Sequence, residues 1–341
     1  MDGHYRVVGG LGSPYSMKLR SVFRYRRLPH IFEMRNGTVR EETSQVRPQI
    51  IPMVRGPEDA SWMVDSTPII YELEDRHDNG RSVLPDNPGD RFIAELIEDF
   101  ADEWLTKAMF HYRWYYATDR DFSAFWIATD QVTSADGSRS NRRAFADQIS
   151  ERQVSRMPLV GCTDENKPVI ERSYEAVLDA LESHVGFGCF LFGSRPSIGD
   201  FGLFGQLKTL GDDPTPQWLM RQRSPTVCHW VRQMDDLSGI SGEWRSESEQ
   251  IPKAVATLLE LCAATYLPFL AANAKAIDAG ADTVDLEILG LPFSQPPFRY
   301  QTKCYSRLKS LFTNLPAADR QRIDPLLEQT DCIRWLADGV G

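Results

Sequence analysis

Two short stretches near the N-terminus hold side chains whose types and spacing could do chemistry. In the first, Val7-Val8-Gly9-Gly10-Leu11-Gly12 leads into Ser13-Pro14-Tyr15-Ser16. Ser13 stands where a helix N-cap belongs, and Pro14 takes the first helical position, where its absent N–H costs nothing. Unpaired N–H groups and the helix dipole at such an end stabilise a thiolate or carboxylate by about 0.3 to 2 kcal/mol. A serine hydroxyl there can also donate to sulfur. Taken alone, Ser13 equally fits a plain helix cap. A dinucleotide fingerprint fails, because the third glycine position after Gly10-Leu11-Gly12 holds Tyr15.

The second stretch runs from Gln49-Ile50-Ile51-Pro52-Met53-Val54 to Val64-Asp65-Ser66-Thr67-Pro68-Ile69. A proline in a strand-like run belongs at an edge, a strand start or a special turn. If the bond before Pro52 is cis, the Ile51 backbone is left free to pair with an extended peptide. Asp65 and Ser66 open the next helix, with Pro68 in its first turn. A carboxylate, a hydroxyl and free N–H groups therefore meet, a set suited to a ligand bearing both an amine and a carboxylate.

The elements that must position these groups are legible in the pattern. Tyr5 to Val8 reads as a buried strand. The helix after Ser13 has Met17, Leu19, Val22 and Phe23 on an apolar side, with Lys18, Arg20, Arg24, Arg26 and Arg27 on the rest. Further on, Ser197 and Asp200 form S-x-x-D ahead of an apolar helix, a capping box with Asp in place of Glu. Between these lies a long amphipathic helix carrying Phe92, Ile93, Leu96, Ile97, Phe100, Trp104 and Leu105. Its other face holds Glu95, Glu98, Asp99, Asp102 and Glu103. No His stands three residues from any of them to complete a di-iron box, so the face reads as solvated or turned to a dimer cleft.

Ser13-Pro14-Tyr15-Ser16 with Lys18 and Arg20, then Ile51-Pro52, then Asp65-Ser66 resembles the glutathione-binding half of soluble glutathione S-transferases of the Ser/Cys type. The resemblance implies a thioredoxin-like α/β N-terminal domain followed by an all-α C-terminal domain. It implies Ser13 as the group that activates the glutathione thiol, Ile51 and Pro52 as the peptide clamp, and Asp65 with Ser66 as the γ-glutamyl site. Tyr5 lies too early for the activating tyrosine of other classes. The long helix ends in an aromatic run, Met109 to Tyr116, which the resemblance implies helps line the pocket of a small hydrophobic electrophile; Tyr15, His111, Tyr112 and Tyr115 are the candidates for it, with core packing as the alternative for the helix end. Glutathione is the implied co-substrate, no metal is expected, and a homodimer is implied.

At 341 residues and 42% hydrophobic content, the chain can bury two or three cores. A formal charge of −10 argues against nonspecific nucleic-acid binding. No leader is recognised and no run reads as long enough to span a bilayer, so a cytoplasmic protein is expected. Six scattered cysteines without C-x-x-C fit free thiols in a reducing compartment, and none lies near Ser13. The expected division is 1–86, a glutathione-binding domain; 90–240, a helical domain; and 241–341, a mostly helical extension packed on it. The extension is the main departure from the family pattern. It should hold a helix over 248–276 kinked at Pro268, a strand over 283–289, a rigid apolar loop over 291–300 and a helix over 300–311. The loop reads as a cover for the helical domain, or as a flap over the cleft or a partner contact. The implied activity is a glutathione transferase. Its rivals are a noncatalytic binding or scaffold protein, and a glutathione-dependent isomerase or etherase.

Overall fold

A computed structural model describes residues 3–132 and 137–337. Strand β1 (Tyr5–Gly9) buries Val7 and Val8 completely, and the glycine turn after it delivers the chain to α1 (Pro14–Tyr25). Then come β2 (His30–Met34), α2 (Gly37–Glu42), β3 (Met53–Arg55), β4 (Met63–Val64) and α3 (Ser66–Arg76). The sheet order is β2-β1-β3-β4, with β1 and β2 parallel and the other two pairs antiparallel. A parallel pair needs a crossover, which α1 supplies. This is a thioredoxin-like unit, and everything after it is predominantly helical.

The helical part begins with α4 (Pro88–Phe100), capped by Asn87, and passes through a π turn (Ala101–Leu105) into α5 (Thr106–Tyr115). Helices α6 (Ala117–Gln131), α7 (Arg139–Val154) and α8 (Lys167–Glu182) lead to α9 (Ile198–Leu210), which is followed by α10 (Pro214–Arg223) and α11 (Pro225–Met234). Helix α9 is apolar almost all round, so it is stable only when surrounded, and all but one of its residues are buried. Its capping box forms as expected: Asp200 Oδ2 accepts from Ser197 N at 2.9 Å, and Oδ1 accepts from Leu191 N at 3.1 Å. Gly205 lets α1 approach closely, since a Cβ there would lie 2.7 Å from the Pro14 carbonyl oxygen.

The extension comprises α12 (Lys253–Leu261), a π turn (Cys262–Tyr266), α13 (Leu267–Ala279), the hairpin β5 (Val284–Ile288) and β6 (Leu291–Gln295), then α14 (Arg299–Thr313), α15 (Ala317–Gln329) and α16 (Ile333–Leu336). The helix expected from 248 starts at Lys253, because Pro252 takes the N-cap position. Its break is a widened turn just before Pro268, which accommodates a residue that has no N–H to donate. The expected loop over 291–300 is corrected in its first half. Leu289 and Gly290 both have positive φ, the geometry of a tight hairpin turn, so Leu291–Gln295 folds back as a strand on β5. Read as one helix through Pro268, Lys253–Ala279 is long and apolar enough to cross a membrane by length and composition, contrary to the sequence expectation; 67% of its most apolar window is buried inside the fold.

A second correction concerns the acidic face of α4. Glu95, Glu98, Asp99 and Asp102 are buried, so this face is neither solvated nor turned to a dimer cleft. Helices α14 and α15 and the second π turn lie over it. Tyr266 Oη donates to Asp99 Oδ2 at 2.6 Å, and Gln301 Nε2 donates to Glu103 Oε2 at 3.2 Å. From the opposite side Lys18 donates to Asp102 Oδ2 at 2.7 Å and also to Glu98. Periodicity marks a face as polar; it does not say whether water or a distant polar segment covers it.

Candidate functional site

The N-terminus of α1 is held from several directions. Ser13 N donates to Gly10 O at 3.1 Å, and Ser13 Oγ accepts from Ser16 N at 3.2 Å. As an acceptor only, the hydroxyl keeps its own proton without a partner among the described residues. Ser16 points inward instead: it is fully buried, and its Oγ accepts from Gly10 N at 3.4 Å. Beneath the turn, Arg113 Nη1 donates to Gly12 O and its Nε to Asp213 Oδ2, both at 2.7 Å. Burial pushes the Asp213 carboxyl up, while Arg113 and the Ser123 hydroxyl oppose that shift. Sequence reasoning missed Arg113, because a lone arginine within an aromatic helix end carries no spacing signal.

Strand register brings the second stretch to the same place. Val8 pairs with Met53 and Met53 with Val64, so one step further along the ladder Ile51-Pro52 comes beside the glycine turn and Asp65-Ser66 beside Pro52. The Ile51–Pro52 bond is cis, and the Ile51 N–H and C=O make no hydrogen bond within the described residues. Asp65 has φ +76° and does not cap α3 with its side chain. The Ser66 hydroxyl is buried with no partner among the described residues. This cradle therefore presents an open strand-like backbone, a carboxylate, a hydroxyl and the first N–H groups of α3.

Ser13 and Ile51 line one cleft of about 330 Å3. Tyr15 lines it too, but its hydroxyl donates to Asp102 O at 2.9 Å, and burial followed by the charges of Glu103 and Asp102 raises its pKa well above the ordinary value. Tyr5 is remote, bonded to His77 Nε2 at 2.8 Å. His111, Tyr112 and Tyr115, named as pocket candidates from the aromatic helix end, do not line this cleft. His111 Nε2 lies 3.0 Å from Glu171, Tyr112 packs on Tyr174, and Tyr115 donates to Asp164 at 2.7 Å. The face of α5 that does reach the cleft carries Met109, Phe110, Arg113 and Trp114, joined by Ile127 from α6. Both faces of α5 are apolar, and only the placement of α8 decides which is covered.

Four basic residues in and just after α1 are taken up by carboxylates and not by the cleft. Lys18 holds Glu98 and Asp102, Arg20 and Arg24 hold Asp235, and Arg26 holds Glu74. Lys18, Arg20 and Arg24 tie the thioredoxin-like unit to the helical part, and Arg26 ties the end of α1 to α3 within that unit. Besides Arg113, Arg35 and Arg40 line the cleft, and the sequence did not single them out. Arg35 donates to Thr43 and Gln49, and Arg40 to Gln131; neither has a carboxylate partner among the described residues. Burial, then the charge of Arg40, lowers the Arg35 pKa. Asp130, also in the cleft, is pushed up to about 6 by burial. Among the described residues no group of His, Cys, Asp and Glu is arranged to hold a metal.

Comparison with known proteins adds two family matches. Residues 8–82 match the glutathione S-transferase N-terminal domain, and residues 147–247 match the C-terminal domain. Together they span just over half of the chain, in the order found in the family. The chain belongs to the glutathione S-transferase family. No curated protein matches in sequence. Among solved structures, a beta-etherase from Sphingobium sp. strain SYK-6 is 14% identical with TM-score 0.47, covering 68% of this chain and 94% of that one. A glutathione transferase from Phanerochaete chrysosporium is 13% identical with TM-score 0.46, covering 69% and 97%. One from Methylobacterium radiotolerans, in complex with glutathione sulfonate, is 16% identical with TM-score 0.44, covering 73% and 100%. Most of the extension lies beyond the residues that the two family domains match.

Proposed function

We propose that this protein is a glutathione transferase in which Ser13 activates the thiol. The observation that carries the reading is that Ser13 and the open Ile51 backbone line one cleft, with Asp65-Ser66 beside Pro52 at the neighbouring strand end. Asp65 suits the γ-glutamyl ammonium, and Ser66 with the α3 N-terminus suits its carboxylate. The Ile51 N–H and C=O suit the cysteinyl backbone, and Arg35 and Arg40 supply charge for the glycyl carboxylate. The sulfur then lies over the α1 N-terminus, where the free Ser13 proton can be donated to it. That hydrogen bond favours the thiolate over the thiol and lowers the thiol pKa. The thiolate attacks the electrophilic atom of the second substrate, and its electron pair forms the new S–C bond while the leaving group departs or an adjacent π bond takes up charge. Met109, Phe110, Trp114 and Ile127 favour an apolar electrophile.

The test separates activation from binding. A hydrogen bond to an ionised group contributes about 1.5 to 3 kcal/mol, so Ser13→Ala should lower conjugation at pH 6.5 by roughly 10- to 100-fold and raise the bound-thiol pKa. Its glutathione dissociation constant should change less than threefold. Ser66→Ala should show the reverse pattern, with weaker binding and a little-changed thiol pKa. Wild-type conjugation and an unshifted thiol titration in Ser13→Ala would refute the assignment.

A further inference from the structure

The extension touches the cradle described above, and nothing in the family matches accounts for that contact. Tyr300 Oη, in the first turn of α14, donates to Asp65 Oδ2 at 3.3 Å. The next residue, Gln301, donates to Glu103, whose charge also acts on the hydroxyls of both Tyr15 and Tyr300. Further along the same helix Arg307 Nη2 donates to Tyr71 Oη at 2.8 Å. Helix α14 therefore lies along the junction of α3 and α4 and reaches the cradle with its first turn. Its entry is fixed on both sides: Phe298 N donates to Asn273 Oδ1 at 2.8 Å, and Asn273 Nδ2 donates to Phe298 O at 3.0 Å. Asn273 itself is fully buried, so this clamp is part of the core.

Phe298 and Tyr300 nonetheless remain about half exposed, 52% and 45%, with ring centroids 6.4 Å apart. The clamp therefore holds Tyr300 at the surface with its hydroxyl on Asp65, and Phe298 beside the Tyr300 ring. The other Asp65 oxygen has no hydrogen-bond partner among the described residues.

We infer that the C-terminal extension completes the amine-recognising end of the ligand site within the same chain, with Tyr300 as a positioning residue that orients Asp65 toward a primary ammonium. This rests on the proposed function, under which that ammonium belongs to the γ-glutamyl group of glutathione. Holding one oxygen of Asp65 fixes the direction of the other, so the ammonium meets an oriented acceptor and not a freely rotating carboxylate. No covalent step is involved.

Calorimetric titration of the full chain tests this with two ligands: glutathione, and glutaryl-cysteinylglycine, which lacks only the amine. Tyr300→Phe keeps the ring and removes the hydroxyl; it should weaken glutathione 3- to 20-fold while changing the amine-free ligand less than twofold. Ser66→Ala should weaken both. Equal weakening of both ligands by Tyr300→Phe would mean a merely structural role, and unchanged glutathione affinity would mean none; either overturns the inference while Ser66→Ala still reports on the site. If wild-type protein takes up no glutathione at millimolar concentration, the proposed function fails first and the inference with it. Matching thermal midpoints of Tyr300→Phe and wild type keep unfolding out of the comparison.

Discussion

Replacing Asp99 by Asn should make the protein more stable at alkaline than at acid pH relative to wild type. Asp99 lies under the second π turn, and burial pushes its carboxyl up to about 7; the Tyr266 hydrogen bond opposes this and the charge of Glu98 adds to it. In the unfolded chain an Asp titrates near 3.8. A carboxyl whose folded pKa is raised favours the native state at low pH, and that advantage is lost as pH rises through the folded value. One pKa unit corresponds to about 1.4 kcal/mol, so ionising Asp99 costs the native state at most about 4 kcal/mol, more than half of it between pH 5 and pH 8. Asn keeps a carbonyl oxygen for the Tyr266 hydroxyl and removes the charge. Urea unfolding of both proteins at pH 5, 6, 7 and 8 measures the difference directly. The stability of Asp99→Asn relative to wild type should climb with pH by about 2 to 3 kcal/mol across that range, with Asp102, also pushed up to about 7, titrating beside it. Parallel stability curves would show that Asp99 ionises freely, and would remove the physical basis for a buried acid layer under the extension.

Two further substitutions probe the scaffold. Gly205→Ala places a methyl 2.7 Å from the Pro14 carbonyl, one residue from Ser13; it should cost about 1 to 3 kcal/mol in unfolding free energy and lower conjugation more than it lowers glutathione affinity. Asp200→Ala strips the acceptor from Ser197 N, Ser197 Oγ and Leu191 N, all buried, and should destabilise by about 2 to 4 kcal/mol in urea unfolding. A loss below about 0.5 kcal/mol would show that this helix start does not depend on its box.

The features legible in the sequence are local ones. The Ser13 cap with Pro14, the proline at 52 and the Ser197-Asp200 box each lie within a few residues, and the backbone geometry they specify is set by neighbours in the chain. The alternating run over 283–289 was readable as a strand for the same reason, whereas the return strand Leu291–Gln295 was hidden by Pro292 within it, Pro296-Pro297 after it and a turn whose residues needed positive φ. Cysteine spacing and composition bounded the class of protein without locating any group.

Everything that depends on which surface meets which was decided by tertiary structure. Lys18 stood among several cations on the polar side of its helix, yet it is buried against Glu98 and Asp102, which α4 and the π turn after it bring to that side. The acid face of α4 looked wet, yet residues some two hundred positions later cover it. His111, Tyr112 and Tyr115 looked like a pocket wall, yet α8 claims their face and leaves Met109, Phe110 and Trp114 to the cleft. Periodicity carries the polarity of a face and the position of a cap, since both are properties of one helix. The partner of that face is fixed by the packing of the whole chain, which no window of sequence contains.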